Sequence, residues 1–278
     1  MSKLSDRLRL SLVLLGAALP LLSAAVAHAD QLDDIRKAGV VRVAVFDSNP
    51  PFGSIDPKTR SVVGYDVDFA QALAAKLGVK LALTVTNPAN RIPLLQSRKV
   101  DLLVADVSIT PERAQVIDFS HAYFVTGQQF LTRADGPGRP DDYAKAHIAA
   151  VKGTTGEQNL RRRFPGATVI SYDDLPVALT ALRSGQVKAV TQDGAVLSGA
   201  LAKAPDRAKF KILPQAISRE EAGVGVRKGE RRVLDAVNRA LVELEQTGRA
   251  ASIYDRWFGK GSAAPQARSF KISAAKTQ

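Results

Sequence analysis

Ser108, Thr110 and Arg113 stand close together after the apolar run that starts at Asp101, with Pro111 between them at a plausible first helical position. These residue types suit the capture of a carboxylate. A guanidinium offers a planar fork of donors, and hydroxyls and backbone N–H groups at a helix start add more. The same spacing describes a capped helix with an exposed arginine, and on spacing alone that plainer reading is favoured. The chain has no cysteine, which excludes disulfides, thiolate metal sites and a thiol nucleophile. Its histidines, His28, His121 and His147, lack an H-x-x-x-H spacing, so neither a metal nor a cofactor is expected.

The elements around these residues read as alternating strands and helices. Val40 to Phe46 is a β-branched run, and Asp66 to Leu77 places Phe69, Leu73 and Leu77 on one helical face with Gly78 as a stop. A strand over Leu81 to Val85, a short helix over Ile92 to Ser97 and a strand over Asp101 to Ala105 follow. The pattern restarts at Ala149 to Val151. It continues with helices at Glu157 to Phe164, Leu175 to Ser184 and Ala195 to Lys203, and with strands near Val169 and over Lys188 to Thr191. Arg231 to Gln246 reads as a long helix, and from Ser262 onward the chain lacks periodicity and reads as a loose tail. Such alternation predicts α/β layers with mostly parallel sheets.

The formal charge of +12 invites a nucleic-acid reading, but the basic residues are spread along the chain among acids. Their longest run is Arg161-Arg162-Arg163, and no aromatic platform alternates with them. Nucleic acid is therefore not an expected partner. The start of the chain looks like an export signal. Lys3, Arg7 and Arg9 precede the apolar stretch from Leu10 to Val26, and Ala27-His28-Ala29 forms an A-x-A site. Cleavage after Ala29, a periplasmic location and no membrane embedding are expected.

Several segments taken together resemble the family 3 amino-acid-binding proteins of ABC importers, closest in motif to the glutamate/aspartate-binding members. They are GYDVDFAQALAAKLG (Gly64 to Gly78), NRIPLLQSRKVDLLVA (Asn90 to Ala105), SITPERAQVIDFS (Ser108 to Ser120), VKGTTGEQ (Val151 to Gln158), AVTQDGAVL (Ala189 to Leu197) and IYDRWFG (Ile253 to Gly259). Each motif is weak alone, whereas their order and spacing are specific. The resemblance implies a two-lobed periplasmic-binding-protein fold of type II that closes on its ligand. Lobe 1 would hold residues 30–122 and 222–260, lobe 2 residues 128–216, with crossovers at 123–127 and 217–221 and a flexible tail at 261–278.

By that resemblance Arg113 should hold the α-carboxylate of a free L-amino acid, helped by Ser108 and Thr155, with Thr154 beside them. Asp193, from the other lobe, should bind the α-ammonium. A zwitterion leaving water needs a counter-charge at each end. In the glutamate/aspartate-binding members the arginine that matches Arg91 contacts the side-chain carboxylate, and a surface arginine at a helix start is an equal alternative here. Phe46, Asn49 and Phe52 are the candidate pocket walls, Phe52 equally a core residue. Asp106 stands where those members carry a hydroxyl, and would either help hold the ammonium or repel an acidic side chain. The implied ligand is polar or acidic, glutamate or aspartate first, glutamine or cysteine next; an Asp106 that reached the side-chain pocket would swing this toward lysine or arginine. The implied role is a non-enzymatic monomer that hands its ligand to the permease subunits of an ABC importer. A dehydratase-like enzyme on the same fold and a soluble sensory partner are the alternatives.

Overall fold

The computed structural model describes residues 30–273; the export signal expected at residues 1–29 lies outside them. The chain begins with α1 (Gln31–Ala38), β1 (Val40–Val45), β2 (Ser48–Asn49), β3 (Gly53–Ile55), β4 (Val62–Val63) and α2 (Tyr65–Leu77). It continues with β5 (Lys80–Val85), α3 (Arg91–Gln96), β6 (Leu102–Leu103), α4 (Pro111–Ala114) and β7 (Ile117–Thr126). A second run follows: β8 (Gln128–Arg133), β9 (His147–Val151), α5 (Thr155–Arg163), β10 (Thr168–Tyr172), α6 (Leu175–Arg183), β11 (Ala189–Asp193), α7 (Gly194–Ala202) and β12 (Phe210–Ile212). The chain then returns through β13 (Glu220–Arg227), α8 (Arg231–Gln246) and α9 (Arg249–Phe258).

These elements build two lobes, each around its own five-stranded sheet, ordered β5-β1-β6-β13-β7 and β10-β9-β11-β8-β12. In each sheet one strand opposes the rest: β13 runs against β6 and β7, and β8 against β11 and β12. Both opposing strands lie next to a chain crossing. The sheet of lobe 1 runs on through Thr126, which pairs with Glu220, so the outward crossing narrows to Gly127. A Cβ on Gly127 would come within 2.6 Å of the Ser218 carbonyl on the returning crossing, so the two crossings pack backbone to backbone there.

Local chemistry accounts for the helices. Asp30 caps α1 by accepting from the Leu32 N–H at 2.9 Å, with acids in the first turn and bases in the last. Thr154 and Asp174 cap α5 and α6 in the same way. The Arg161–Arg163 run forms the last turn of α5, where it faces the negative end of the helix dipole, and Arg161 pairs with Glu157. Asp101 is buried and accepts from Arg42 N, Nε and Nη2, which locks β1 to the start of β6.

The core of lobe 1 is aromatic. Phe124 packs edge-on or tilted against Phe52, Tyr65, Phe258 and Phe270 at centroid distances of 4.8, 5.3, 5.0 and 5.6 Å, and stacks on Tyr254 at 6.0 Å. The expected loose tail does not hold over its described part. Arg268 makes a bidentate pair with Glu245 of α8, at 3.0 and 2.5 Å, and its guanidinium lies over the Phe270 ring at 4.8 Å. Ala264 and Ile272 are buried as well. Two apolar anchors and a half-hidden ion pair outweigh the polar composition that suggested disorder.

Candidate functional site

The facing edges of the two lobes bring most of the predicted site residues together. α4 is a single turn, with Thr110 as N-cap accepting from the Arg113 N–H at 3.2 Å and Pro111 at its start, as the sequence suggested. This turn aims Arg113 into the cleft. Its Nη1 donates to the Ser108 carbonyl at 2.8 Å, and its Nη2 crosses to lobe 2 and donates to the Gly153 carbonyl at 3.1 Å. Thr155, at the start of α5, donates to Glu220 Oε2 at 2.5 Å and stands 3.3 Å from the Ser108 hydroxyl. The lobes also meet where Lys203 Nζ donates to Ser54 at 3.0 Å. Gly199 faces the Pro50 carbonyl there, and a Cβ would fall 2.4 Å from that oxygen. The structure is thus the closed form, with Arg113 and Asp193 both buried between the lobes.

Asp193 ends β11 and begins α7, and Asp106 follows β6 with a left-handed φ of 45°. That conformation disfavours side chains other than those of Asn and Asp, and such strain gathers at functional positions. The two carboxyl groups, from opposite lobes, are both buried in the cleft. Burial pushes both upward from the usual carboxylate range, Asp193 well above it, and the nearby Asp106 charge pushes Asp193 further. Burial lowers Arg113 as well, against the pull of Glu220, Asp106 and Asp193.

Arg91 is fully enclosed. Its Nη1 donates to the Ala105 and Asp106 carbonyls at 2.8 and 3.1 Å, and its guanidinium lies 5.4 Å from the centre of the Phe46 ring. Burial brings it down to about 9, with the Arg113 charge adding to the fall. Arg91 and Phe46 therefore brace the loop after β6 from behind. Phe52 lies in the aromatic core of lobe 1 and not on the pocket wall, because the turn after β2 directs it toward Phe124. The Thr154 hydroxyl is occupied with capping α5 and with the Val151 carbonyl. Asn49 is buried in β2, opposite Gly53.

Sequence reasoning missed Glu220, Asp66 and Tyr123. Glu220 accepts from Thr155, Asn159 and Ser218 at the hinge side of the cleft. Buried Asp66 accepts from the Tyr123 hydroxyl at 2.7 Å behind Asp106. Open cavities of about 530 and 660 Å³ flank the centre, the first bordered by Glu112, Thr155 and Glu220, the second by Asp47, Asn87 and Asp174. Among the described residues no His/Asp/Glu cluster could hold a metal, and no helix is long and apolar enough to cross a membrane.

Two α/β lobes, a hinge of adjacent crossings and a buried arginine and aspartate facing one cleft describe a ligand trap. The profile of bacterial extracellular solute-binding proteins, family 3, matches residues 41–260. The chain belongs to this family. It is 32% identical to the L-cystine-binding protein TcyJ of Escherichia coli (strain K12) over 231 residues, 82% of this chain and 86% of that one. A solved ancestral arginine-binding protein bound to glutamine is 35% identical, with a TM-score of 0.76 over 80% of this chain and 99% of that one. The ancestral amino acid-binding protein AncCDT-1, a precursor of cyclohexadienyl dehydratase, is 31% identical, with a TM-score of 0.75 over 82% and 99%. The fold is thus that of the two-lobed periplasmic binding proteins, and this family 3 member is related to amino-acid-binding proteins of ABC transporters.

Proposed function

We propose that the chain is exported to the periplasm, where it captures a free L-amino acid by lobe closure and delivers it, as a monomer, to the permease of an ABC importer. The observation that carries this is the placement of Arg113 on lobe 1 and Asp193 on lobe 2, both buried in one cleft. Opposite charges on opposite lobes match the two ends of a zwitterion, so closure gains most when the ligand is present. Relatives named for cystine, glutamine and arginine support the class. Ser108, Thr155 and the start of α5 complete the carboxylate side. The proposed ligand is polar. Glutamate and aspartate stay within the proposal, because only Nη1 of Arg91 is committed to backbone carbonyls and its Nε is buried without a hydrogen-bond partner.

A dehydratase-like reading has one observation in its favour, the raised Asp193 carboxyl, which could act as a general acid. One experiment separates the two. Isothermal titration with the common L-amino acids should give saturable binding of an unmodified ligand. Turnover of a prephenate-like substrate, with no amino acid bound, would replace the transport reading by the enzymatic one.

A further inference from the structure

Gly199 sits inside α7, in ordinary helical backbone, and no left-handed φ calls for a glycine there. A glycine within a helix is less stable than an alanine, so another constraint must favour it. That constraint lies on lobe 1. A Cβ on Gly199 would fall 2.4 Å from the Pro50 carbonyl oxygen, 2.6 Å from its carbon and 2.7 Å from Pro51 Cδ. These are backbone and proline-ring atoms, which cannot turn aside. The turn that carries them is braced by the start of α2, where the Tyr65 N–H donates to the Pro51 carbonyl at 2.9 Å and the Asp66 N–H to the Phe52 carbonyl at 3.0 Å. The Phe52 ring anchors it further, 4.8 Å from that of Phe124. On the other side, Ala195, Val196 and Leu197 of α7 are buried. Neither partner yields easily.

α7 is also the helix that begins at Asp193. Six residues of helix, about 9 Å, separate that carboxylate from the Pro50 contact. How near α7 comes to Pro50 therefore sets where Asp193 stands across from Arg113. Lys203, one turn beyond Gly199, donates to Ser54 Oγ at 3.0 Å on the strand that leaves the same turn.

We propose that Gly199 is a positioning residue for the ligand site: its missing side chain lets α7 seat on the Pro50 carbonyl, and this backbone contact fixes the depth of lobe closure and the place of Asp193. The inference rests on the amino-acid reading above. A contact between lobes belongs to the closed form, so in the open form an alanine methyl at this position meets nothing from lobe 1. In the closed form, ordinary contact needs about 3.5–4.0 Å, so that methyl would hold α7 back by about 1 Å and draw Asp193 off the ammonium. Gly153 makes a second such approach, with a Cβ 2.8 Å from Ala89 Cα, but its φ of 79° would strain a side chain in both forms. Gly199 is therefore the cleaner probe.

The test compares the wild type with Gly199→Ala and with Lys203→Ala, which removes a bond between the lobes without adding bulk. Without ligand, Gly199→Ala should melt no lower than the wild type, because alanine favours the helix. In calorimetric titrations with glutamine, cystine, arginine and glutamate, its affinity for each ligand that the wild type binds should fall at least about tenfold, as a modest overpacking penalty requires. Stopped-flow mixing should put that loss in faster release, since closure follows capture. Lys203→Ala should lose less. Wild-type affinity in Gly199→Ala, a loss carried by slower association, or a larger loss in Lys203→Ala overturns the proposal. So does a ligand-free Gly199→Ala that melts lower or fails to fold, since Gly199 would then serve the packing of lobe 2 itself. Each of these outcomes leaves the amino-acid reading intact, whereas a wild type that binds no L-amino acid overturns both.

Discussion

The two lobes share a sheet plan but differ in what they carry. Lobe 1 holds the buried charges Arg91, Asp106 and Arg113, together with a core in which Phe124 by itself meets five other rings. In lobe 2, Phe130 meets Tyr143 and Phe164 at 6.0 and 5.7 Å, and the lobe brings to the cleft mainly Asp193, Thr155 and the Gly153 carbonyl. Buried charge is expensive unless its setting is rigid. The lobe with the denser aromatic core, strapped by Arg268 and Phe270, is also the one that holds the costly groups in place. Lobe 2 brings fewer buried charges to the cleft.

The largest effect should come from cutting the core of lobe 1. Phe124→Ala should lower stability by about 3–5 kcal/mol, and Phe130→Ala in lobe 2 should cost less, both read by denaturant unfolding. Equal losses would erase the contrast between the lobes. The next effect is on binding. Arg113→Ala should weaken ligand binding by about 2–5 kcal/mol in a titration, while the unfolding midpoint moves less. An unchanged affinity would take Arg113 out of the site. The smallest is at the strap. Arg268→Ala should cost about 1 kcal/mol, because one bidentate pair and its stacking on Phe270 are lost, and limited proteolysis should then cut within residues 262–273. A variant as resistant as the wild type would show that the apolar anchors hold the segment unaided.

How far the sequence reaches can be judged from single elements. α8 is legible to its ends because Val233, Val237, Leu241 and Leu244 repeat at helical spacing and all are buried. β7 and β13 are not, since His121 and Ser120 interrupt one apolar pattern and Gly223 and Gly225 thin the other. Their pairing depends on residues about a hundred positions apart, which periodicity cannot see. At the site, the helix start at Thr110 and Pro111 was legible from local chemistry, whereas the role expected of Arg113 came from the resemblance, since spacing alone favoured an exposed arginine. Arg91 and Phe52 have suitable types, but their facing is decided by tertiary neighbours, the loop carbonyls in one case and Phe124 in the other. Asp106 was visible as an acid where the glutamate/aspartate-binding members carry a hydroxyl, with its direction left open. Its left-handed backbone and its burial in the cleft are products of the assembled fold.

The order of the strands along the chain also bears on how the molecule forms. Every strand of the lobe 2 sheet lies between Gln128 and Ile212, so that sheet can be completed as soon as its own stretch is available. The lobe 1 sheet needs β13 between β6 and β7, and its core needs Phe258 and Phe270 from the far end. During synthesis from the N-terminus, the first strands made are therefore among the last to be locked. Lobe 2 can fold first, and lobe 1 closes over Phe124 only when the C-terminal aromatics arrive.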